Sequence, residues 1–208
     1  MSILSQILEH KIVAIIRGAN PDDVLKIATA LHIGGVKVLE VTMNSVNALE
    51  VIKELSAAMK DKMLIGAGTV LDAEMVKQAV SAGAQFIISP CLNIEVIKIA
   101  KQLGAVSIPG AYTPTEIVNA YNSGADIIKV FPASNVNYIK EIRAPLPHIP
   151  LMPTGGITLE NIEEYKKAGA VAFGIGSALV NTKLAVTNEY LNELTETAKK
   201  LVEIVNTN

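Results

Sequence analysis

Lys129 interrupts an apolar run, DIIKVFP, at residues 126–132. Burial disfavours the charged form of an ammonium group, so a lysine inside such a run is either paired with an acid or has a lowered pKa. A neutral lysine amine attacks a ketone and forms a Schiff base. The alternatives are a lysine that reaches solvent from a strand end and one that pairs structurally with a buried carboxylate. All of these interpretations fit the run on its own.

Arg17 and Glu40 share the periodicity of Lys129. Side chains alternate between the two faces of a strand, and each of these three residues lies on a face that also carries apolar side chains. If those faces point into a barrel, the three are its inward charges, near the C-terminal ends of three strands. Charged side chains are rarely buried without partners, so this grouping indicates a site. A structural ion pair between Glu40 and Lys129 is the alternative, although a buried pair is weak evidence for stability.

These charges suit carbon–carbon bond cleavage. A protonated imine on Lys129 accepts the electron pair of the breaking bond, and Glu40 can move protons during imine formation and at the adjacent carbon. The forked donors of Arg17 suit an anionic group of the substrate. Phe131, two residues after Lys129, is the expected apolar wall beside the amine.

Two glycine-containing loops follow the last two predicted strands. One contains Thr154, Gly155 and Gly156, and the other contains Gly176 and Ser177. Barrels commonly bind phosphate at this position through loop amides and a helix N-terminus. The alternative is that the glycines serve only tight turns, but their presence in adjacent units favours a phosphate site.

The positions of the histidines argue against a catalytic metal. His10, His32 and His148 all lie where the opposite end of the barrel is expected, away from the three charges. A metal-dependent enzyme of this fold would need ligands at the same end as the site. We therefore expect neither a metal nor another cofactor. Cys91 is expected to be a small buried residue rather than a reactive thiol.

Strand-like segments alternate with helix-like segments along the whole chain. Helix-start signals such as NPDD at residues 20–23 open the helical segments, and glycine phrases such as AGA at 82–84 close them. Eight such units predict an α/β fold of the (β/α)8 TIM-barrel class, with residues 1–208 as one catalytic domain. The predicted strands are Val13–Arg17, Val38–Thr42, Leu64–Val70, Phe86–Pro90, Val106–Gly110, Asp126–Pro132, Leu151–Gly155 and Ala172–Ser177.

Composition excludes several classes of partner. The net charge of −2 and the scattered Lys and Arg residues give no basic surface for nucleic acid. A single cysteine excludes an internal disulfide and fits a reducing compartment, so the cytoplasm is expected. No apolar stretch is long enough to span a bilayer, so we expect no membrane partner.

A series of motifs along nearly the whole chain resembles the bacterial 2-keto-3-deoxy-6-phosphogluconate (KDPG) / 4-hydroxy-2-oxoglutarate (KHG) aldolases. The motifs are LEVT at 39–42, GAGTV at 66–70, ISP at 88–90, IPG at 108–110, IKVFPA at 128–133, PTGGI at 153–157 and GS at 176–177. The resemblance implies a (β/α)8 barrel, a homotrimer and a metal-free class I aldolase. Its substrate would be a 2-keto-3-deoxy-6-phospho sugar acid, or alternatively unphosphorylated 4-hydroxy-2-oxoglutarate.

Carried over by position, the resemblance also implies site residues. Lys129 would form the Schiff base, and Glu40 would be the acid/base. Thr69 would lie at the pyruvyl carboxylate. Other residues would line the site or bind the distal phosphate: Pro90, Phe131, Gly155, Gly156 and Ser177.

Two positions depart from the pattern of many relatives. Asn44 stands where they have an arginine, and Cys91 stands where they have a glycine. Recognition of the carboxylate would then fall more heavily on Arg17 and Thr69. Two rival functions stay open: a phosphate-binding isomerase or epimerase on the same barrel, and a non-catalytic protein that binds an acidic ligand.

Overall fold

A computed structural model describes residues 1–133 and 135–207. Strands and helices alternate after an N-terminal helix, as the sequence predicts. The strands are β1 (Ile12–Ile16), β2 (Val38–Thr42), β3 (Leu64–Gly68), β4 (Phe86–Ile88), β5 (Val106–Ile108), β6 (Gly110–Ala111), β7 (Ile128–Val130), β8 (Leu151–Pro153) and β9 (Phe173–Ile175). The helices are α1 (Ile3–His10), α2 (Pro21–Ile33), α3 (Ala48–Ala58), α4 (Ala73–Ser81), α5 (Ile94–Gln102), α6 (Pro114–Asn122), α7 (Val136–Arg143), α8 (Ile162–Lys167) and α9 (Asn188–Asn206).

The strands form a closed parallel ring. One sheet has the order β5-β4-β3-β2-β1-β9, and the other has the order β6-β7-β8. Pro109 lies between β5 and β6, so the predicted fifth strand is divided into a part that pairs with β4 and a part that pairs with β7. A parallel bridge between Thr154 and Gly174 joins β8 to β9 and closes the ring. The predicted TIM-barrel class is therefore confirmed.

Two apolar layers support the ring. The larger layer lies between the outer strand faces and the surrounding helices. The smaller one fills the barrel and includes Val13, Val38 and Ile127, together with Ile7 from α1. Since Ile7 belongs to this inner cluster, α1 closes the N-terminal end of the barrel. The strand faces that were expected to point inward therefore do so.

Side-chain caps begin most of the helices, but α3 and α8 begin without one. Thr113 and Glu116 form a reciprocal capping box at the start of α6, with Pro114 in the first turn. The TLEN sequence at residues 158–161 has the pattern of a helix start, but it does not begin α8 with a side-chain cap. Those residues form a turn in which Asn161 Oδ1 accepts a hydrogen bond from the Thr158 amide at 2.9 Å, and α8 begins at Ile162.

Glycines on the inner faces make room for larger side chains. A Cβ atom on Gly66 would lie 2.3 Å from the ring of Phe86, which is fully buried inside the barrel. A Cβ on Gly174 would lie 2.3 Å from Thr154 Oγ1. Close packing of the barrel interior therefore requires glycine at these two positions, because any side chain there would overlap a neighbour.

We predict that Gly66→Ala destabilises the fold. The added methyl overlaps a buried aromatic ring on the next strand, and overpacking of this kind costs about 1–3 kcal/mol in the free energy of unfolding. Urea unfolding measures the change. Gly176→Ala is the control, because open space surrounds its Cβ position, and its effect should stay within about 0.5 kcal/mol. Equal urea midpoints for the two variants would contradict the packing argument.

Candidate active site

Glu40 and Lys129 lie on different strands inside the same end of the barrel. Glu40 sits in β2 between Ile15 of β1 and Gly66 of β3, and Lys129 sits in β7 between Gly110 and Met152. Glu40 is 0% exposed and Lys129 is 3% exposed. Because Lys129 is almost fully buried, the interpretation that it reaches solvent from a strand end is wrong.

The carboxyl group of Glu40 has no hydrogen-bond partner. Both oxygens are buried, and neither accepts a hydrogen bond from any described residue. Burial raises the pKa of Glu40, and the positive charges of Lys129 and Arg17 oppose that shift. The alternative of a structural ion pair with Lys129 does not match this geometry, because such a pair would occupy at least one oxygen. Glu40 is therefore free to bond with a ligand.

The amine of Lys129 lies in an apolar environment with charges nearby. Burial is the largest cause that lowers its pKa; the charge of Glu40 raises it, and that of Arg17 lowers it. Its Nζ lies 4.9 Å from the centroid of the Phe131 ring, which forms an aromatic wall beside the amine as expected. A larger fraction of this amine is therefore neutral at a given pH than for an exposed lysine.

Arg17 lies at the exposed rim of this end, not in the interior. Two neighbouring loops hold its backbone. Thr182 donates a hydrogen bond from Oγ1 to the Arg17 carbonyl at 2.9 Å, and the Gly18 amide donates to Ser45 Oγ at 2.9 Å. Ser45 Oγ is also 2.9 Å from Thr42 Oγ1, so the Gly18–Ser45 bond ties the loop after β1 to the end of β2. Ser45 and Thr182 were not predicted from the sequence; the position of Ser45, directly after Asn44, was the one available signal.

The end of β3 brings backbone close to Glu40. A Cβ on Gly68 would lie 1.6 Å from Glu40 Oε1, so the carboxyl group occupies the space that a side chain would fill. The next residue, Thr69, has a left-handed backbone with φ 57°. That conformation costs a β-branched residue roughly 1–2 kcal/mol. Strain of this kind is concentrated at functional sites, so Thr69 is a candidate ligand-binding residue on geometry as well.

Pro90 and Cys91 follow β4 at the same end. Pro90 is half-buried, and its carbonyl group would lie 2.4 Å from a Cβ on Gly110, so these two loops are in close contact. Cys91 is exposed, and the expectation that it is a small buried residue is therefore wrong. Its neighbour Leu92 packs against the core instead.

The first glycine loop lies against Phe131. Thr154 is buried, and its carbonyl accepts a hydrogen bond from the Ala133 amide at 2.8 Å. A Cβ on Gly155 would lie 3.4 Å from the Phe131 ring, and Gly155 and Gly156 both have positive φ. Left-handed glycines point backbone amides in directions that other residues rarely reach.

The second loop lies after β9, the strand next to β8 in the ring. Gly176 is half-buried, and its carbonyl accepts the amides of Leu179 and Val180 at 2.9 and 2.8 Å. Ser177 is exposed. The barrel therefore brings both loops to the end that holds Lys129 and Glu40.

No cluster of three His, Cys, Asp or Glu residues within residues 1–133 and 135–207 could hold a metal ion. His10 and His32 line a cleft with Leu64 at the start of β3, at the opposite end of the barrel. His148 packs edge-on against Tyr121, with ring centroids 5.4 Å apart. Across the part of the chain that the structure describes, no helix is both long and apolar enough to cross a bilayer.

Comparison with known proteins gives one consistent family. The family described as KDPG and KHG aldolase matches residues 3–196. The 2-dehydro-3-deoxy-phosphogluconate aldolase of Haemophilus influenzae is 36% identical over 206 residues, which cover 98% of this chain and 96% of that protein. The 2-dehydro-3-deoxy-6-phosphogalactonate aldolase of Escherichia coli is 38% identical over 171 residues, covering 81% of this chain and 83% of the other.

A solved structure agrees with the sequence relatives. The KDPG aldolase of Legionella pneumophila, in a crystal structure with pyruvate captured as a covalent carbinolamine intermediate, superposes with a TM-score of 0.88. It is 30% identical in sequence, and the match covers 96% of this chain and 98% of that one. On sequence and fold together, this chain belongs to the KDPG and KHG aldolase family.

Proposed function

We propose that this chain is a Schiff-base (class I) aldolase that reversibly cleaves 2-keto-3-deoxy-6-phosphogluconate to pyruvate and glyceraldehyde 3-phosphate. It could also cleave 4-hydroxy-2-oxoglutarate to pyruvate and glyoxylate. One observation supports the proposal most strongly: a buried lysine with a lowered pKa shares the barrel with a buried carboxyl group that has no hydrogen-bond partner among the described residues. The fold alone would not choose this chemistry.

In the proposed reaction, Lys129 attacks the C2 carbonyl of the keto acid. The resulting carbinolamine loses water and becomes a protonated imine. The C4 hydroxyl then gives up its proton, the C3–C4 bond breaks, and its electron pair passes to the imine as an enamine while the aldehyde departs. Protonation at C3 and hydrolysis of the imine release pyruvate and restore the amine.

Glu40 is the proposed acid and base for these proton transfers. Burial raises its pKa, so it holds a proton at a higher pH than an exposed carboxyl group does. A group with a pKa nearer the working pH both donates and accepts protons efficiently. Its place above Gly68 leaves both oxygens available to the substrate or to one bridging water.

The remaining candidates would bind the two ends of the substrate. Arg17 and Thr69 suit the carboxylate of the keto acid, since one offers a fixed charge and the other a hydroxyl beside a strained backbone. The distal phosphate would bind at the loops after β8 and β9, through backbone amides and hydroxyl groups. The candidates there are Thr154, Gly155, Gly156, Gly176 and Ser177. Pro90 and Phe131 would line the site between the two ends.

The rival functions explain less of the molecule. An isomerase or epimerase would use the glycine loops but has no need of a lone buried lysine. A non-catalytic binding protein would be expected to satisfy Glu40 and Lys129 with partners of their own. We propose neither, because both leave the desolvation of Lys129 without a purpose.

We predict that pyruvate and sodium borohydride together modify Lys129. Reduction of the imine leaves a pyruvate-sized adduct, which mass spectrometry maps to one peptide. Lys129→Ala should abolish the adduct, whereas Lys77→Ala, an exposed lysine on α4, should not. Because the amine pKa lies below the ordinary 10.5, the rate of trapping should rise with pH below that value as Lys129 loses its proton, and it should fall as Glu40 loses the proton that dehydration of the carbinolamine needs.

Glu40→Gln separates the two catalytic roles in the same assay. The amide keeps the shape of Glu40 but cannot transfer protons, so cleavage should slow by about a hundredfold to ten-thousandfold. Lys129 is intact, so the variant should still form the adduct, only more slowly. Absence of an adduct on folded wild-type protein would overturn the Schiff-base mechanism and favour one of the two rival functions instead.

Substrate preference requires a second measurement, because the relatives include a phosphogalactonate aldolase at 38% identity. We predict that the phosphorylated sugar acids give a higher kcat/KM than 4-hydroxy-2-oxoglutarate, since two loops are available for a phosphate. The C4 epimers, the gluconate and galactonate forms, are compared in the same assay. Ser177→Ala should lower kcat/KM for the phosphorylated substrates and leave that for 4-hydroxy-2-oxoglutarate nearly unchanged. An equal loss for both would contradict the phosphate assignment.

We propose that the chain assembles as a homotrimer through the loops after β2, β3 and β4. Val46 and Leu71 are exposed apolar residues on two of these loops, and Ile94, also exposed, is the first residue of α5 after the third; Asn93 Nδ2 donates to the Leu71 carbonyl at 3.0 Å. Sedimentation equilibrium should give three times the 22.1 kDa chain mass. Leu71→Lys should reduce this mass, whereas Leu103→Lys, at the C-terminal end of α5, should not. A monomeric wild-type protein would contradict the proposal.

Two further proposals concern the whole chain. We propose that residues 1–208 form one catalytic domain, because the βα units follow one another without a linker; a single cooperative urea transition would agree with this.

We also propose the cytoplasm as its compartment, which fits a lone cysteine and a phosphorylated substrate, and fractionation of the source cells tests it.

A further inference from the structure

A basic cleft of about 750 Å³ lies at the N-terminal end of the barrel, opposite Lys129 and Glu40. Its volume is in the range of small-molecule sites. The ends of α1 and α2, the turn from α3 to β3 and the turn after α4 form its walls. Its ionisable side chains are His10, His32, Lys37, Lys60, Asp61 and Lys62. Three lysines thus face one carboxylate in a chain whose net charge is −2.

The lysines of the cleft have no carboxylate partner within the described residues. The lysine–carboxylate ion pairs of the described residues use other lysines, at positions 26, 77, 101, 167 and 199. Lys37 Nζ lies 3.0 Å from His32 Nδ1, and because an ammonium group can only donate, the imidazole accepts this bond. Partial burial removes water from the Lys37 ammonium group and lowers its pKa, and no carboxylate of the described residues balances its charge.

Capping of the helix ends does not account for these lysines. At the end of α2, the carbonyls of Ala30, Leu31 and His32 already accept the amides of residues 34, 36 and 35. The carbonyls of Leu55 and Met59 likewise accept backbone amides at the end of α3. Lysines that do cap a helix are recognisable elsewhere, since Lys11 Nζ donates to the Val205 carbonyl at 2.9 Å.

We infer that this cleft is a second anion site, in which Lys37, Lys60 and Lys62 bind a small phosphate or polyphosphate anion. Uncompensated ammonium groups gathered in one concave site attract a compact anion and form charge-assisted hydrogen bonds with its oxygens. The site is separate from the proposed substrate phosphate site, which lies at the other end of the barrel.

His32 provides a local reporter for this anion. Burial and the charges of Lys37 and Lys62 lower its pKa, while a bond to the Lys62 carbonyl raises it. The other ionisable groups of the cleft are His10, Lys60 and Asp61. A bound anion offsets the lysine charges, so it raises the pKa of His32 towards the ordinary value, and binding takes up a proton when the pH lies between the two values.

The test is a titration of the full-length protein with inorganic phosphate and inorganic pyrophosphate, followed by NMR of the histidine imidazoles. The expected result is a saturable rise in the pKa of His32, at lower concentration for pyrophosphate, with His148 unchanged. Sodium chloride at equal ionic strength corrects for screening. No shift at His32, a shift that does not saturate, or an equal shift at His148 would overturn the inference.

Lysine variants locate the binding site. Lys37→Met keeps the apolar stem and should weaken phosphate binding about tenfold, as expected for a lost charge-assisted bond. Lys62→Gln, at an exposed position, should weaken it in the same direction and tests the inference even if Lys37→Met folds poorly. Lys98→Gln on α5 is the matched control. Unchanged binding in both cleft variants would overturn the assignment, whatever the outcome for the aldolase reaction.

Discussion

The cost of taking two ionisable groups out of water governs this structure. Glu40 and Lys129 are buried inside one barrel, and within residues 1–133 and 135–207 no hydrogen bond compensates the burial of the carboxyl group. A barrel of apolar strands provides the low dielectric that shifts both pKa values. Desolvation raises that of the acid and lowers that of the amine, so both shifts favour the neutral forms. A neutral amine and a protonated carboxyl group are the two species with which the proposed imine formation would begin.

The rest of the interior is arranged so that these two groups fit. Gly68 leaves the space that the Glu40 carboxyl occupies, and Gly66 and Gly174 accept the side chains of neighbouring strands. Thr69 keeps a left-handed backbone that costs stability. Sites commonly sacrifice stability for function in this way, and the large apolar layer between strands and helices compensates. The unpaired carboxyl group of Glu40 and the strained backbone of Thr69 therefore occur at the same site and are both costs to stability.

Much of this arrangement could be predicted from the sequence, because it depends on local periodicity. Alternation along β2 and β7 placed Glu40 and Lys129 on inner faces, and the βα repeat predicted the closed ring. The absence of an ion pair between them could not be predicted, since it depends on distances across the barrel. The hydroxyl contacts of Ser45 and Thr182 join loops far apart in sequence. The exposure of Cys91 and the split at Pro109 likewise depend on how neighbouring strands pair.

The two ends of the barrel carry charge of different kinds, and the apolar filling keeps them apart. Inner residues of the strands, together with Ile7 from α1, form a continuous apolar layer between the end that holds Lys129 and Glu40 and the basic cleft. Leu64 belongs to that layer and also lines the cleft, so β3 runs from the lysines at one end to Gly68 at the other. Solvent in the cleft screens the charge of an anion bound there, which weakens its direct electrostatic influence on Lys129. An anion bound in the cleft would therefore affect Lys129 only by moving β3. The close packing of Gly66 against Phe86 opposes such a movement.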